Sequence, residues 1–565
     1  MTTRPNILFI MADQMKWSIL RMYSEIGIET PALEKLAEQG VRFETAITPH
    51  PLCVPARTSV MTARYPHSTG CRRNETLMPD GEVNAFRIWK DAGYVTGLIG
   101  KNHCFVRDED MRLFDVRCEI SHAGLPKGGY AGENVGNTGM EWVVPTNDID
   151  AAHADRVALR KKAQSPRIAY AVTDHPEEHY GSAVVALQTE SFLERYANGE
   201  WQAGAQKPFA LWTSFPDPHE PFEAPRRYAE MFPSGAVKMP PQRNGEFTDG
   251  TAPERNRVLA AMMRQDDDSE EHRRGVIATY QAMTRFVDDS IGRIVAKLES
   301  LALRENTVIV FTADHGDFMG EHGMAVKGGV FYDCLVRVPL IVSWPGGGVP
   351  QGIAEKSPVS TIDILPTLLK LQGLATFDAS EDLPGASGYE PEEHFDPGNI
   401  WREDRRLRRV VERRMQGTPL PQVTDSPSRD AAYSEYGTGG PPFTMRMLEK
   451  LPKPWGYATI IESLWSREAE GRRKMVRTER WKYVHDPMAC DATSSSGSDG
   501  GPGDVDELYD LQNDPWELRN VARLPENAQV ISDLRLKLAD WMIRTEEFSP
   551  VPLPRQIGRP TRQSH

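Results

Sequence analysis

"PNILFIMADQ", residues 5–14, is a short unbroken apolar run that stops at an acid and an amide. A strand with one wet face alternates polar and apolar residues. A continuous run of this length, closed by polar residues, is the pattern of a parallel strand buried on both faces. Its carboxyl end carries Asp13 and Gln14, and open parallel sheets do their chemistry at strand ends. A helix is predicted directly afterwards over "TPALEKLAEQG" (30–40), with Thr30 as N-cap, Pro31 in the first turn and Gly40 as the stop.

The same alternation recurs along the chain. A helix is expected near 84–93, strands at 94–103 and 208–215, a long amphipathic helix over 278–301, a strand at 306–316, an apolar segment at 339–346 and a helix at 362–373. Parallel strands joined by helices give an α/β fold with a mostly parallel sheet sandwiched by helices. Residues 1–373 are read as this domain. From 374 to 470 the chain turns charged and irregular, rich in Pro, Gly, Glu and Arg, and is read as an insertion. A strand hairpin at 473–486, a Ser/Gly-rich loop at 490–506 and a helix at 526–547 make a smaller α+β C-terminal subdomain over 471–548. The Pro- and Arg-rich tail 549–565 reads as a disordered terminus or as an arm crossing to a second subunit of a homo-oligomer.

Composition narrows the function. Sixty-six basic against 80 acidic residues give a net charge of −14 over 565 residues. No basic stripe stands out, so neither nucleic acid nor anionic lipid is an expected partner, and a site for an anion must gather its cations locally. The six cysteines, at 53, 71, 104, 118, 334 and 490, form no CxxC pair and no dense framework. They fit reduced thiols in a cytosol. No signal-peptide pattern and no run of apolar residues long enough to span a membrane is present, and the expected location is cytoplasmic.

One cysteine sits in an unusual setting, "PHPLCVPARTSVMTARYPHSTG" (49–70), where Cys53 to Arg57 reads Cys-x-Pro-x-Arg. With "NILFIMADQ", "GLIGKNH", "SFPDPHEPF", "FTADHGDFMGEHGMAVKGG", "RTERWKYV" and "ELYDLQNDPWELRN" in this order, the chain resembles the sulfatase family of the alkaline phosphatase superfamily, near its arylsulfatase and phosphonate monoester hydrolase branches. "MTAR" (61–64) departs from the family's usual Leu-Thr-Gly-Arg only by a small residue. The resemblance implies an alkaline-phosphatase-like fold and oxidation of Cys53 to formylglycine (3-oxoalanine) by a formylglycine-generating enzyme. The aldehyde hydrate offers two hydroxyls on one carbon, one to attack sulfur and one to expel sulfate while the aldehyde re-forms.

By the same resemblance one divalent ion, Ca²⁺ first with Mn²⁺ as the alternative, is held by Asp13, Gln14, Asp314 and His315 and touches residue 53. Oxygen ligands with one imidazole suit either ion. Arg57 is expected to hold the hydrated residue. Lys101 and His103 are expected beside it, His103 as base for the elimination, and His219 and Lys327 to clamp the anion and protonate the leaving oxygen. Each residue alone has a structural explanation: Asp13 a turn cap, His315 a satisfied loop histidine, the lysines solvated. Their joint order favours the site. The expected activity is hydrolysis of a small organic or aryl sulfate monoester. Phosphonate monoester or phosphodiester hydrolysis is the alternative, because Gln14 and His315 lean that way while the Lys-x-His pair leans back. A catalytically dead binding protein is the third reading.

Overall fold

The structure is a computed structural model. It describes residues 4–546 except 80–81, 106–107, 123, 125–135, 146–148, 164–167, 203–206, 265–268, 376–414, 440–442, 454, 456–470 and 488–505. Much of the stretch read as an insertion, most of the 490–506 loop and the whole tail lie outside the described residues.

The opening run forms β1 (Asn6–Ala12), with every residue buried. Eight further strands complete one sheet: β2 (Val41–Phe43), β3 (Val95–Gly100), β4 (Val116–Glu119), β5 (Gly136–Thr138), β6 (Phe209–Phe215), β7 (Thr307–Ala313), β8 (Leu340–Ser343) and β9 (Ile353–Glu355), in the order β9-β2-β8-β7-β1-β6-β3-β4-β5. The centre, from β7 to β4, is parallel. Antiparallel partners β8 and β5 flank it, so the sheet is mixed. β1, β6 and β7 are buried throughout, which is why they read as continuous apolar runs.

Helices cover both faces. On β6, Leu211 reaches Gly97 and the helix that carries Phe192, whereas its neighbour Trp212 meets Phe86 and Phe105 on the other side. The helices that matter below are α1 (Pro31–Glu38), α2 (Cys53–Thr62), α3 (Gly181–Ala197), α4 (Glu270–Ser300), α5 (Ile364–Leu371) and α6 (Ala528–Arg544). α4 packs on α1 and α3. The start of α1 differs from expectation. Thr30 makes no side-chain cap; Asp288 of α4 accepts the N–H groups of Ala32 and Leu33 at 3.2 and 2.9 Å instead. A carboxylate from another helix does what the local sequence was expected to do.

A second, antiparallel sheet orders β10 (Ala432–Tyr436), β11 (Arg473–Arg477), β12 (Trp481–His485) and β13 (Glu507–Asp510). Its first strand comes from inside 374–470, so that stretch is not irregular throughout. α6 packs on β11 and β12. The five described cysteines are free and buried, without disulfides among them. Among the described residues no helix is long and apolar enough to cross a membrane.

Candidate active site

The carboxyl ends of β1, β3, β6 and β7 converge on the start of α2. Asp13 and Gln14 leave β1, with Gln14 in the left-handed region at φ 62°. Lys101 leaves β3 where a side chain at Gly100 would meet the Ser214 carbonyl at 1.9 Å, so glycine lets the two strand ends close. Asp314 and His315 leave β7. Cys53 is the first residue of α2, a helix buried along its whole length.

Cys53 Sγ lies 3.1 Å from His315 Nε2, 3.2 Å from Lys327 Nζ and 3.7 Å from Asp13 Oδ1. A helix N-terminus normally acidifies a thiol. Here burial raises its pKa and outweighs Lys101 and Lys327, so sulfur is not poised as a thiolate. The cations serve some other chemistry at this position.

Arg57 fixes the floor. It donates through Nε to Asp314 Oδ2 at 2.8 Å and through Nη1 to Ser214 Oγ and the Lys101 carbonyl at 2.9 and 3.2 Å, with its guanidinium over Trp212. Asp314 Oδ1 accepts the backbone N–H groups of Gln14 and His315 at 3.0 and 2.9 Å. Burial alone would raise the Asp13 carboxyl, but Lys101, His219, His122 and Arg57 together hold it well below the usual carboxylate range.

Asp13, Cys53, Asp314 and His315 each offer one ligand atom, all within 4.8 Å of one another and all buried. The donor chemistry fits a divalent cation. His315 Nδ1 donates to the Gly316 carbonyl at 2.9 Å, leaving the Nε2 lone pair directed at the cluster. Burial lowers this imidazole to about 4, so the ring is neutral at neutral pH and free to ligate. Gln14 is held with equal care. Its amide nitrogen donates to Asp317 Oδ2 at 2.5 Å and Glu220 Oε2 at 3.1 Å, which turns its oxygen inward to Lys327 Nζ at 2.7 Å.

His219 and Lys327 form a pair, Nε2 to Nζ 2.9 Å. His219 Nδ1 donates to the Glu220 carbonyl at 2.7 Å. Burial, with His122 and Lys327 beside it, drives its pKa well below the usual value. Nε2 therefore accepts from the Lys327 ammonium. Burial works against that ammonium, yet the carboxylates of Glu220, Asp13 and Asp314 raise its pKa and keep it charged.

The structure brings Cys53, Arg57, Lys101, His219, Lys327, Asp13, Gln14, Asp314 and His315 into one cluster. His103 stands at its side, φ 73°, its ring meeting His122 edge-on at 5.8 Å. Sequence reasoning missed His122. Its Nε2 lies 2.7 Å from Asp13 Oδ2 and 2.8 Å from Lys101 Nζ, and its ring is 4.0 Å from that of His219. The signal was present, since His122 follows a parallel strand just as Asp13 does. β4, "VRCE", is too short and too polar to announce itself. Asp317 and Glu220 were also missed, although both lie within the quoted segments.

Two aspartates, an amide, three imidazoles and three cations gather around one buried residue at the carboxyl edge of an alkaline-phosphatase-like sheet, a set suited to hydrolysis of tetrahedral anionic esters. The chain belongs to the sulfatase family, hydrolases acting on sulfuric esters: the Sulfatase family model matches residues 5–374. It is similar to the uncharacterized sulfatase YidJ of Escherichia coli (strain K12), 30% identical over 68% of this chain and 70% of that one. It is also similar to the choline-sulfatase of Rhizobium meliloti (strain 1021), 24% identical over 96% of this chain and 87% of that protein. The phosphonate monoester hydrolase of Agrobacterium radiobacter shares the fold, with a TM-score of 0.65 at 22% identity, covering 98% of this chain and 99% of that one.

Proposed function

We propose that this protein hydrolyses an organic or aryl sulfate monoester through a formylglycine formed from Cys53, with one divalent ion, Ca²⁺ or in its place Mn²⁺, held by Asp13, Gln14, Asp314 and His315. The observation that carries the reading is the enclosure of Cys53 by two lysines, an arginine and neutral imidazoles while its own thiol is kept protonated. Formylglycine hydrate supplies a hydroxyl nucleophile and a second hydroxyl for release of sulfate. The ion, when bound, supplies charge to the attacking and ester oxygens.

This chain's own residues do the rest. Arg57 holds Asp314 and the start of α2 in register. Lys101 sets a positive charge beside Asp13, where ester oxygens gather charge. Lys327 carries the proton for the leaving oxygen, and His219, accepting from it, orients that ammonium. His103 and His122 stand together on the Lys101 side, His103 as the candidate base for sulfate release. Phosphonate monoester or phosphodiester hydrolysis is the second reading, favoured by the neutral Gln14 amide locked between Asp317 and Glu220. Relative kcat/KM on 4-nitrophenyl sulfate and 4-nitrophenyl phenylphosphonate ranks the two.

The test is direct. Protein co-expressed with a formylglycine-generating enzyme should yield a tryptic peptide ending at Arg57 with the mass deficit of a thiol converted to an aldehyde. Cys53→Ala should lose at least about 10³-fold in kcat, roughly 4 kcal/mol of barrier. An unmodified peptide in fully active protein, or near-wild-type turnover of Cys53→Ala, overturns the reading.

A further inference from the structure

The edge of the second sheet carries a cluster of cations on segments that connect to those of the site. β10 and β11 pair Glu435 with Lys474 and Tyr436 with Arg473. Arg473 lies over the Tyr436 ring at 4.9 Å, and Lys474 ion-pairs with Glu435. Arg72 donates to the Gly437 carbonyl at 3.4 Å. The exposed Arg472 lies across Gly439, where an added Cβ would come within 2.8 Å of its Nε. Among the described residues no carboxylate pairs with Arg72 or Arg472. In a chain of net charge −14 this is a local excess of positive charge held in place by backbone contacts.

The cluster hangs on the segments that carry the reacting groups. Asn74, two residues past Arg72, accepts the Val54 N–H at 3.1 Å, the next residue after Cys53. Tyr436 fills the space beside Gly329, where a Cβ would be 2.3 Å from its ring, two residues past Lys327. The same ring stacks at 5.2 Å on His50, which is fully buried and has neither ring nitrogen hydrogen-bonded among the described residues. Burial and the neighbouring Arg472 push Arg72 down to about 10. An incoming anion relieves this repulsion.

We propose that Arg72 and Arg472 form a second anion site beside the reaction centre, so that the preferred substrate is a sulfate ester whose alcohol carries a further anionic group, a carboxylate or a second sulfate. The inference rests on the sulfatase reading above. A guanidinium meets either anion through two parallel N–H donors, which fixes the alcohol's orientation as well as adding affinity.

The experiment compares kcat/KM for 4-nitrophenyl sulfate, its ring-carboxylated analogue and 4-nitrocatechol disulfate, in wild type, Arg72→Gln and Arg472→Gln. Each variant should lower the ratio of dianionic to monoanionic substrate by about tenfold, the worth of one charge-assisted hydrogen bond. Arg472→Glu, made on an exposed side chain, should lower it further and keeps the test independent of any folding defect at Arg72. Loss confined to the carboxylated or to the disulfated ester identifies the anion. Ratios unchanged in all three variants overturn the second site and leave the sulfatase reading intact. Failure of protein with a converted residue 53 to cleave any of the three esters overturns both.

Discussion

Replacing Lys482 by Met should cost about 3–5 kcal/mol of stability, the usual effect of breaking a buried ion pair from one side. Lys482, on β12, is completely buried. Its ammonium reaches Asp333 at 2.5 Å and the Phe331 carbonyl at 2.8 Å, and it also contacts Glu517. Burial pushes the Asp333 carboxyl up, but Lys482, Arg477 and Arg337 together hold it well below the usual range. Without Lys482, Asp333 keeps, among the described residues, the cations Arg477 at 3.5 Å and Arg337 at 3.8 Å. Glu517, whose pKa burial already raises, loses its cation and must take up a proton. Met fills the volume of the lysine stem, so little cavity cost is added. Urea unfolding followed by tryptophan fluorescence reads the change, and Glu517→Gln in the same background should restore part of it by removing the stranded carboxylate. Because Phe331 follows closely on Lys327, turnover of 4-nitrophenyl sulfate should fall in the folded variant as well. A Lys482→Met protein within about 1 kcal/mol of wild type would refute the assignment of this lysine as the cation that holds Asp333 and Glu517.

Lys327→Met should depress kcat/KM most for sulfate esters with poor leaving groups, steepening the dependence on leaving-group pKa measured over a series of aryl sulfates. An unchanged slope would remove Lys327 from proton donation. Prolonged chelation should abolish turnover, and adding back Ca²⁺ or Mn²⁺ one at a time should restore it, with metal analysis giving one ion per chain. Glu119 is raised to about 7, burial outweighing Arg117 and Asn102, so between about pH 4.3 and 7 the folded state binds more protons than the unfolded chain and stability falls as pH rises through that window. Glu119→Gln should flatten that part of the profile in urea midpoints taken at pH 5 and pH 8.

Most of the site was legible because strand ends are legible. Asp13 and Asp314 follow apolar runs whose burial leaves no other reading, and the stretch between them is fixed by alternation of strand and helix. What escaped depends on partners distant in sequence. Thr30 looks like a cap, yet Asp288, 258 residues away, takes the N–H groups of α1. His122 follows a strand of four residues that carries an arginine and a glutamate, and no pattern in so short a segment separates strand from loop. The strand Ala432–Tyr436 was hidden for a similar reason. Charged residues surround it, and its partner β11 comes tens of residues later. Asp317 and Glu220 act through Gln14, so only the folded geometry shows why an amide belongs at position 14.

Burial of α2 sets a clock on the making of this protein. Residue 53 is 1% exposed in the finished fold, beneath side chains supplied by β7 and by the Lys327 segment. Under the formylglycine reading proposed above, an enzyme that oxidises it must work on the unfinished chain. At about 5–20 residues per second the ribosome needs roughly 13–50 s to travel the ~260 residues from Cys53 to the end of β7. On that reading, chains that outrun a maturation enzyme in that interval would fold around an unconverted thiol and stay inactive. The specific activity of a preparation would then report the race between translation and modification, and slowing synthesis should raise it without any change in sequence.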